Sequence, residues 1–237
     1  MTKPFVYLET YRGPVLAVIL DWAGTAVDYG CIGPTEVFHR AFAALGVEVD
    51  RNEIRPFMGL KKIDHVRAMF ALESVAEKWR QTHGALPDED DIHRVYALLE
   101  PMMIEAVTTH ALPIPGVAES VDSLRSRGIR IGSSTGYTRP MMEALAPVAA
   151  IHGYAPDRWV CSSDVPDGRP CPWMCYQNAL ALQTYPMAAM IKIGDTIADI
   201  HEGRNAGMWS VAVTRTSVEL GLTRAETEAL PPDELRA

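Results

Sequence analysis

Six consecutive apolar residues, Val15-Leu16-Ala17-Val18-Ile19-Leu20, run straight into Asp21-Trp22-Ala23-Gly24-Thr25-Ala26-Val27-Asp28. An unbroken apolar run of this length suits a strand buried on both faces, as in a parallel sheet. The chain then leaves the sheet at an aspartate. In open α/β sheets the carboxyl ends of the strands form the crevice where ligands bind, so Asp21 stands where chemistry is usually done. An Asx-turn that merely ends the strand is the alternative.

Four further strands are predicted downstream: 128–134, 159–164, 187–194 and 209–214. Helical periodicity separates them, over 117–127, 139–150, 172–183 and 197–206, with Gly128 and Gly207 as C-terminal stops. Strands alternating with helices predict an α/β fold with a doubly wound parallel sheet, Rossmann-like in type. Between the first and second strands lie about 80 residues of almost wholly helical pattern. One amphipathic helix is predicted over 35–45 and another over 63–72. Asp50 and Glu53 have capping-box spacing, and an acidic cluster opens a long helix over 88–110. Leu112-Pro113-Ile114-Pro115-Gly116 reads as the way back into the sheet. The expected organisation is an α/β core from 1–30 and 112–237, with an inserted helical cap over 31–111. Gly30 and Gly33 read as hinge residues that join the two, with plain turn punctuation as the alternative.

Composition narrows the function. The 237 residues carry a formal charge of -8 with no basic cluster, which argues against a nucleic-acid partner. No run approaches the ~20 apolar residues of a membrane span, and 1–13 lacks a signal-peptide apolar core. Cys31, Cys161, Cys171 and Cys175 form neither a C-x-x-C pair nor a complete zinc set, so reduced thiols in the cytoplasm are expected.

The strand ends converge on one edge of such a sheet. Asp21 follows the first strand and Ser133-Ser134-Thr135-Gly136 the second. Gly168-Arg169-Pro170 follows the third, and Gly194-Asp195-Thr196-Ile197-Ala198-Asp199 the fourth. Carboxylates this close repel one another unless a cation intervenes, and hard oxygen ligands suit Mg²⁺. This constellation resembles the haloacid dehalogenase superfamily of phosphotransferases. Within it, the phosphonoacetaldehyde hydrolase (phosphonatase) family is similar over nearly the whole chain. The residues that carry the resemblance are Asp21 to Cys31, Met58-Gly59-Leu60-Lys61-Lys62-Ile63-Asp64-His65-Val66, Gly132 to Thr138, Asp164 to Met174, and Gly194 to Trp209.

Ala23 is the discriminating position. Superfamily phosphatases carry a second aspartate two residues after the nucleophile as general acid for an oxygen leaving group, and alanine supplies no proton. An enamine leaving group needs none. The resemblance implies that Lys62 forms a Schiff base with phosphonoacetaldehyde, that Asp21 attacks phosphorus to give an aspartyl-phosphate, and that His65 moves protons. It also implies substrate contacts from Thr135, Arg169, Met58, Cys31 and Tyr137. Mg²⁺ would be held by Asp21, the Ala23 backbone carbonyl, Asp195 and Asp199. A homodimer meeting through the caps is implied as well. Lys61 stands beside Lys62, and the chemistry alone does not separate them. The family continues beyond the position of Ala237 through a further strand and helix, so an exposed sheet edge is expected. An ordinary phosphomonoesterase and a non-catalytic anion-binding protein share the fold as competing readings.

Overall fold

The computed structural model describes residues 11–231. Five strands form one sheet: β1 (Ala17–Leu20), β2 (Arg130–Thr135), β3 (Arg158–Cys161), β4 (Met190–Gly194) and β5 (Trp209–Ala212). Their order is β3-β2-β1-β4-β5 and every pairing is parallel. The doubly wound sheet is therefore as expected. β1 is fully buried and central, with Leu20 in register with Ser133 on one side and Ile193 on the other. The chain order runs outward from β1 through β2 to β3, then crosses to β4 and β5. Asp21 and Asp195 thus leave neighbouring strands where the winding direction changes, the position at which such sheets bind ligands.

Helices α1 (Ile32–Ala43), α2 (Arg51–Ile54), α3 (Lys62–Phe70), α4 (Glu73–His83) and α5 (Glu89–Thr109) follow β1 as one helical block. Then come α6 (Val117–Ser126), α7 (Arg139–Ile151), α8 (Trp173–Ala181), α9 (Ile197–Asn205) and α10 (Arg224–Ala229). The block is held on its own apolar faces: α5 packs along α1 and α3, and also reaches α7. One continuous cluster joins Val18 and Leu20 of the sheet to Phe38, Trp79, Leu99 and Met103 of the helices.

Several boundaries differ from the sequence expectation, each for a local reason. α1 starts at Ile32 rather than at residue 35, because Asp28 caps it from outside, accepting from the amides of Ile32 (3.1 Å) and Gly33 (3.2 Å). Gly33 is consequently not a turn residue. It lies in the first turn of α1, where an added Cβ would stand 2.9 Å from the His110 ring. Gly30 does adopt a left-handed conformation, with φ +81°. The stretches 162–164 and 187–189, predicted as strand, are short 3₁₀ turns. α4 is not separately legible in the sequence, since only Val75 and Trp79 of its eleven residues are buried. α10 is absent from the sequence expectation although Thr223 and Glu226 form a capping box. Among the described residues β5 is the last strand on its side of the sheet, and Trp209 is 64% exposed.

The Asp50–Glu53 capping box forms as expected, with Asp50 accepting from the amides of Asn52 (2.7 Å) and Glu53 (3.1 Å). Glu53 also holds Lys78 of α4 at 2.7 Å. Asp50→Ala is expected to lower unfolding stability by about 1 kcal/mol, a typical capping contribution. Urea titration measures it, and an unchanged midpoint would refute the capping role.

Candidate active site

At the carboxyl edge of the sheet, Asp21, Ala23, Cys31, Met58, Lys62, Thr135, Tyr137, Arg169 and Asp195 line one cavity of about 20 Å³. Eight of the sequence-predicted site residues besides Asp21 thus meet it there. A space of this size holds about one water. The walls come from both the sheet edge and the helical block. The loop before α3 reaches across to the sheet: a Cβ on Gly136 would stand 2.4 Å from the Leu60 carbonyl oxygen, and one on Gly59 2.6 Å from Thr196 Oγ1. Glycine at both positions is what lets block and sheet edge touch, and the contact forms part of the cavity wall.

Arg169 is the centre of the site. Its guanidinium is buried and meets Asp21 Oδ1 at 2.6 Å, Asp199 Oδ1 at 3.0 Å and Glu202 Oε2 at 3.0 Å, and it donates to the Ser134 carbonyl at 2.7 Å. Lys192, fully buried on β4, pairs with Asp199 and lies 3.6 Å from Glu202. Asp199 also accepts from Thr196 Oγ1 at 2.5 Å, which caps α9. Neither Lys192 nor Glu202 stands out among the residues singled out in the sequence. A lysine inside the strand Met190-Ile191-Lys192-Ile193 is the available signal, because a buried ammonium requires a partner.

Four buried carboxylates (Asp21, Asp195, Asp199, Glu202) thus surround two buried cations (Arg169, Lys192), leaving two negative charges in excess. Burial and the neighbouring carboxylates Asp21 and Asp199 push Asp195 well above the usual carboxylate range. Burial also raises Asp21, against the pull of Arg169. For Asp199, Arg169 and Lys192 outweigh burial and hold its carboxyl low. Asp21, Asp195 and Asp199 each offer a carboxylate oxygen within 4.8 Å of the others. Hard oxygen donors carrying this charge excess fit a divalent metal ion.

Lys62 opens α3 and is 3% exposed, with Nζ 5.2 Å from the Tyr137 ring centre and 5.7 Å from that of Phe38. Burial lowers its pKa, and Arg169 adds to the effect, against the pull of Cys31, Asp21 and Asp195. Lys61, in contrast, is half-buried and is not part of the cavity wall. His65 follows Lys62 on the same helix but stands behind the cavity wall, stacked on Phe38 at 3.9 Å. Its Nε2 faces the Ile54 carbonyl at 2.9 Å, and a carbonyl only accepts, so the proton sits on Nε2. Nδ1 has no partner among the described residues. Burial, then Lys62, pushes the imidazole well below its ordinary value, so it is neutral. Trp22 is a core residue: fully buried, it donates to Ser133 Oγ at 2.7 Å and meets Tyr154 edge-on at 5.0 Å.

Chemically, the site offers a carboxylate at the end of a central parallel strand, an acidic set able to hold a metal, a buried guanidinium and a buried amine. A family model described as haloacid dehalogenase-like hydrolase matches residues 15–207. A phosphonoacetaldehyde hydrolase of Nitratidesulfovibrio vulgaris is 55% identical over 99% of this chain and 84% of its own length. One from Bacillus cereus is 54% identical over 93% of this chain and 83% of its own. The crystal structure of a phosphonoacetaldehyde hydrolase-like protein from Oleispira antarctica superposes with a TM-score of 0.92 at 38% identity, covering all of this chain and 84% of that one. The chain belongs to the haloacid dehalogenase-like hydrolase family and, within it, to the phosphonoacetaldehyde hydrolases.

The lowered basicity of Lys62 is directly measurable. In a ¹³C-labelled lysine spectrum, one Cε resonance is expected to titrate below the ordinary 10.5 and to vanish in Lys62→Ala. A Lys62 signal titrating at or above that value would contradict the account of this site.

Proposed function

We propose that this protein hydrolyses the carbon–phosphorus bond of phosphonoacetaldehyde, giving acetaldehyde and phosphate. The observation that carries the reading is the enclosure of an amine of lowered basicity, Lys62, in one cavity with the carboxylate of Asp21, while position 23 offers only a methyl group. The names of the similar hydrolases support it.

The neutral Lys62 amine adds to the aldehyde carbon and expels water, leaving a protonated imine that can accept an electron pair. Asp21 attacks phosphorus in line. The C–P bond breaks, its electrons enter the imine to form an enamine, and phosphorus is left as an aspartyl-phosphate. Protonation of the enamine carbon and hydrolysis of the imine release acetaldehyde and restore Lys62. A second water releases phosphate from Asp21. Because the leaving group departs as an enamine, no general acid is required at position 23. Arg169 and Thr135 hold the phosphonate oxygens, the guanidinium matching their charge. Tyr137, Met58 and Cys31 shape the space around the imine. The bare Nδ1 of neutral His65 is the acceptor through which protons are moved during imine formation.

Mg²⁺ is the proposed metal, held by Asp21, the Ala23 carbonyl and Asp195 with Asp199 as a further acidic contact. When bound it offsets the charge excess of the site and so favours approach of an anionic substrate. Residues 31–111 are proposed to act as a cap that opens for entry, since a 20 Å³ cavity is too small for the substrate. A cytoplasmic homodimer meeting through these caps completes the reading. The four cysteines are free, and no helix among the described residues is long and apolar enough to cross a membrane.

The test is acetaldehyde release from phosphonoacetaldehyde with Mg²⁺ and with excess chelator, for the wild type and Lys62→Ala. Release is expected only with metal, and Lys62→Ala is expected to lose at least ~10³-fold while keeping its fold, as covalent catalysts do when the nucleophile is removed. Normal turnover by a folded Lys62→Ala would exclude the Schiff base. Turnover of phosphate esters instead of the phosphonate would favour a phosphomonoesterase.

A further inference from the structure

The reaction proposed above uses Arg169 but gives no role to two other fully buried ionic groups, Glu202 on α9 and Lys192 on β4. Such groups are costly to bury, and they persist where their partners require them. The geometry around Glu202 is directional. Its Oε2 accepts from Arg169 Nε at 3.0 Å and from Ser134 Oγ at 2.9 Å, and faces Lys192 at 3.6 Å. Ser134 in turn receives Arg169 Nη2 on its hydroxyl, at 3.2 Å, and on its carbonyl, at 2.7 Å. Glu202 and Ser134 thus hold Nε and Nη2, the same Nη2 reaches Asp21 Oδ1 at 2.6 Å, and Nη1 faces the Gly59 carbonyl at 3.4 Å.

Resting on the proposed role of Arg169 toward phosphonate, we propose that Glu202 is a positioning residue: with Ser134 and Lys192 it sets the orientation of the Arg169 guanidinium over Asp21. Three observations favour orientation over bulk stability. The contact to Nε fixes the guanidinium plane rather than its charge, since a planar fork held at Nε has the direction of its Nη2, and so the approach to Asp21, set with it. Lys192 is shared between Glu202 and Asp199, so Glu202 has a second cation beside it while Arg169 is shared with Asp21. Oε1 of Glu202 has no partner among the described residues, so all of the directional contact falls on Oε2. Without Glu202, Nε loses its acceptor and the contacts of Nη2 to Asp21, Asp199 and Ser134 no longer fix the guanidinium plane.

A double-mutant cycle tests this. Rate constants at limiting phosphonoacetaldehyde, with enzyme in excess so that slow variants are read, are compared for the wild type, Glu202→Leu, which removes the acceptor, Arg169→Ala and the double variant, alongside thermal midpoints. Glu202→Leu alone is expected to lower the rate between about ten- and a hundredfold, the scale of an ångström of misplacement at a reacting centre. In the Arg169→Ala background it is expected to change the rate less than about twofold, because coupled residues are non-additive. An equal loss in both backgrounds would show a structural role and overturn the proposal. Normal turnover by Arg169→Ala would instead remove the role of Arg169 itself, and the proposal with it. Should Glu202→Leu fail to fold, Ser134→Ala carries the same cycle with the same expected pattern.

Discussion

The site depends on a concentration of like charge that the fold has to neutralise internally. Four carboxylates are drawn together at one sheet edge, and in a buried setting each would take up a proton rather than stay charged alone. Arg169 and Lys192 offset part of this, one from the loop after β3 and one from within β4. The offset is uneven. Asp199, paired with both cations, is held low, while Asp195, which lacks either as a close partner, is pushed high. The carboxylate whose ionised form is least supported by the protein is thus one of the three able to hold a metal. Charge imbalance, rather than the bare presence of acids, is what suits the set to holding a cation.

Enclosure links this electrostatics to the amine. Lys62 reaches the cavity only because the loop before α3 closes onto Gly136 and Thr196 with glycine on both sides of the contact. Closure strips water from the ammonium, and burial is the largest influence on its lowered basicity. A mobile helical block would therefore do more than admit substrate. Opened, it would return Lys62 to water and to its ordinary protonated state. Closed, it would produce the nucleophile. In that proposal cap movement and amine activation would be one event, with the carboxylate of Asp21 at the same wall.

Much of this is legible in the sequence because strand ends are. The apolar run before Asp21 and the parallel alternation place Asp21, Thr135, Arg169 and Asp195 at one edge without reference to coordinates, and all four line the cavity. The choice of Lys62 over Lys61 rests on resemblance and is matched by their difference in burial. What escapes the sequence is what depends on side-chain direction. His65 shares a helix with Lys62 yet stands behind the wall, because helical spacing does not specify which of two neighbouring residues faces the opening. Asp28 caps α1 from four residues upstream of Ile32, so the helix begins ahead of the expected residue 35. Glu202 follows Asp199 by three residues on α9, one helical face that only the sheet partner Lys192 reveals as functional. Gly33 has the look of turn punctuation and is a close-approach residue instead.

The central claim is that Lys62 becomes covalently bonded to the substrate carbonyl before the carbon–phosphorus bond breaks. Borohydride reduction of the protein mixed with phosphonoacetaldehyde, followed by peptide mass mapping, tests it most directly. The account predicts a reduced two-carbon adduct on the peptide containing Lys62, none on Lys61, and loss of activity in step with labelling. An unmodified Lys62 in protein that turns over the same substrate would contradict it.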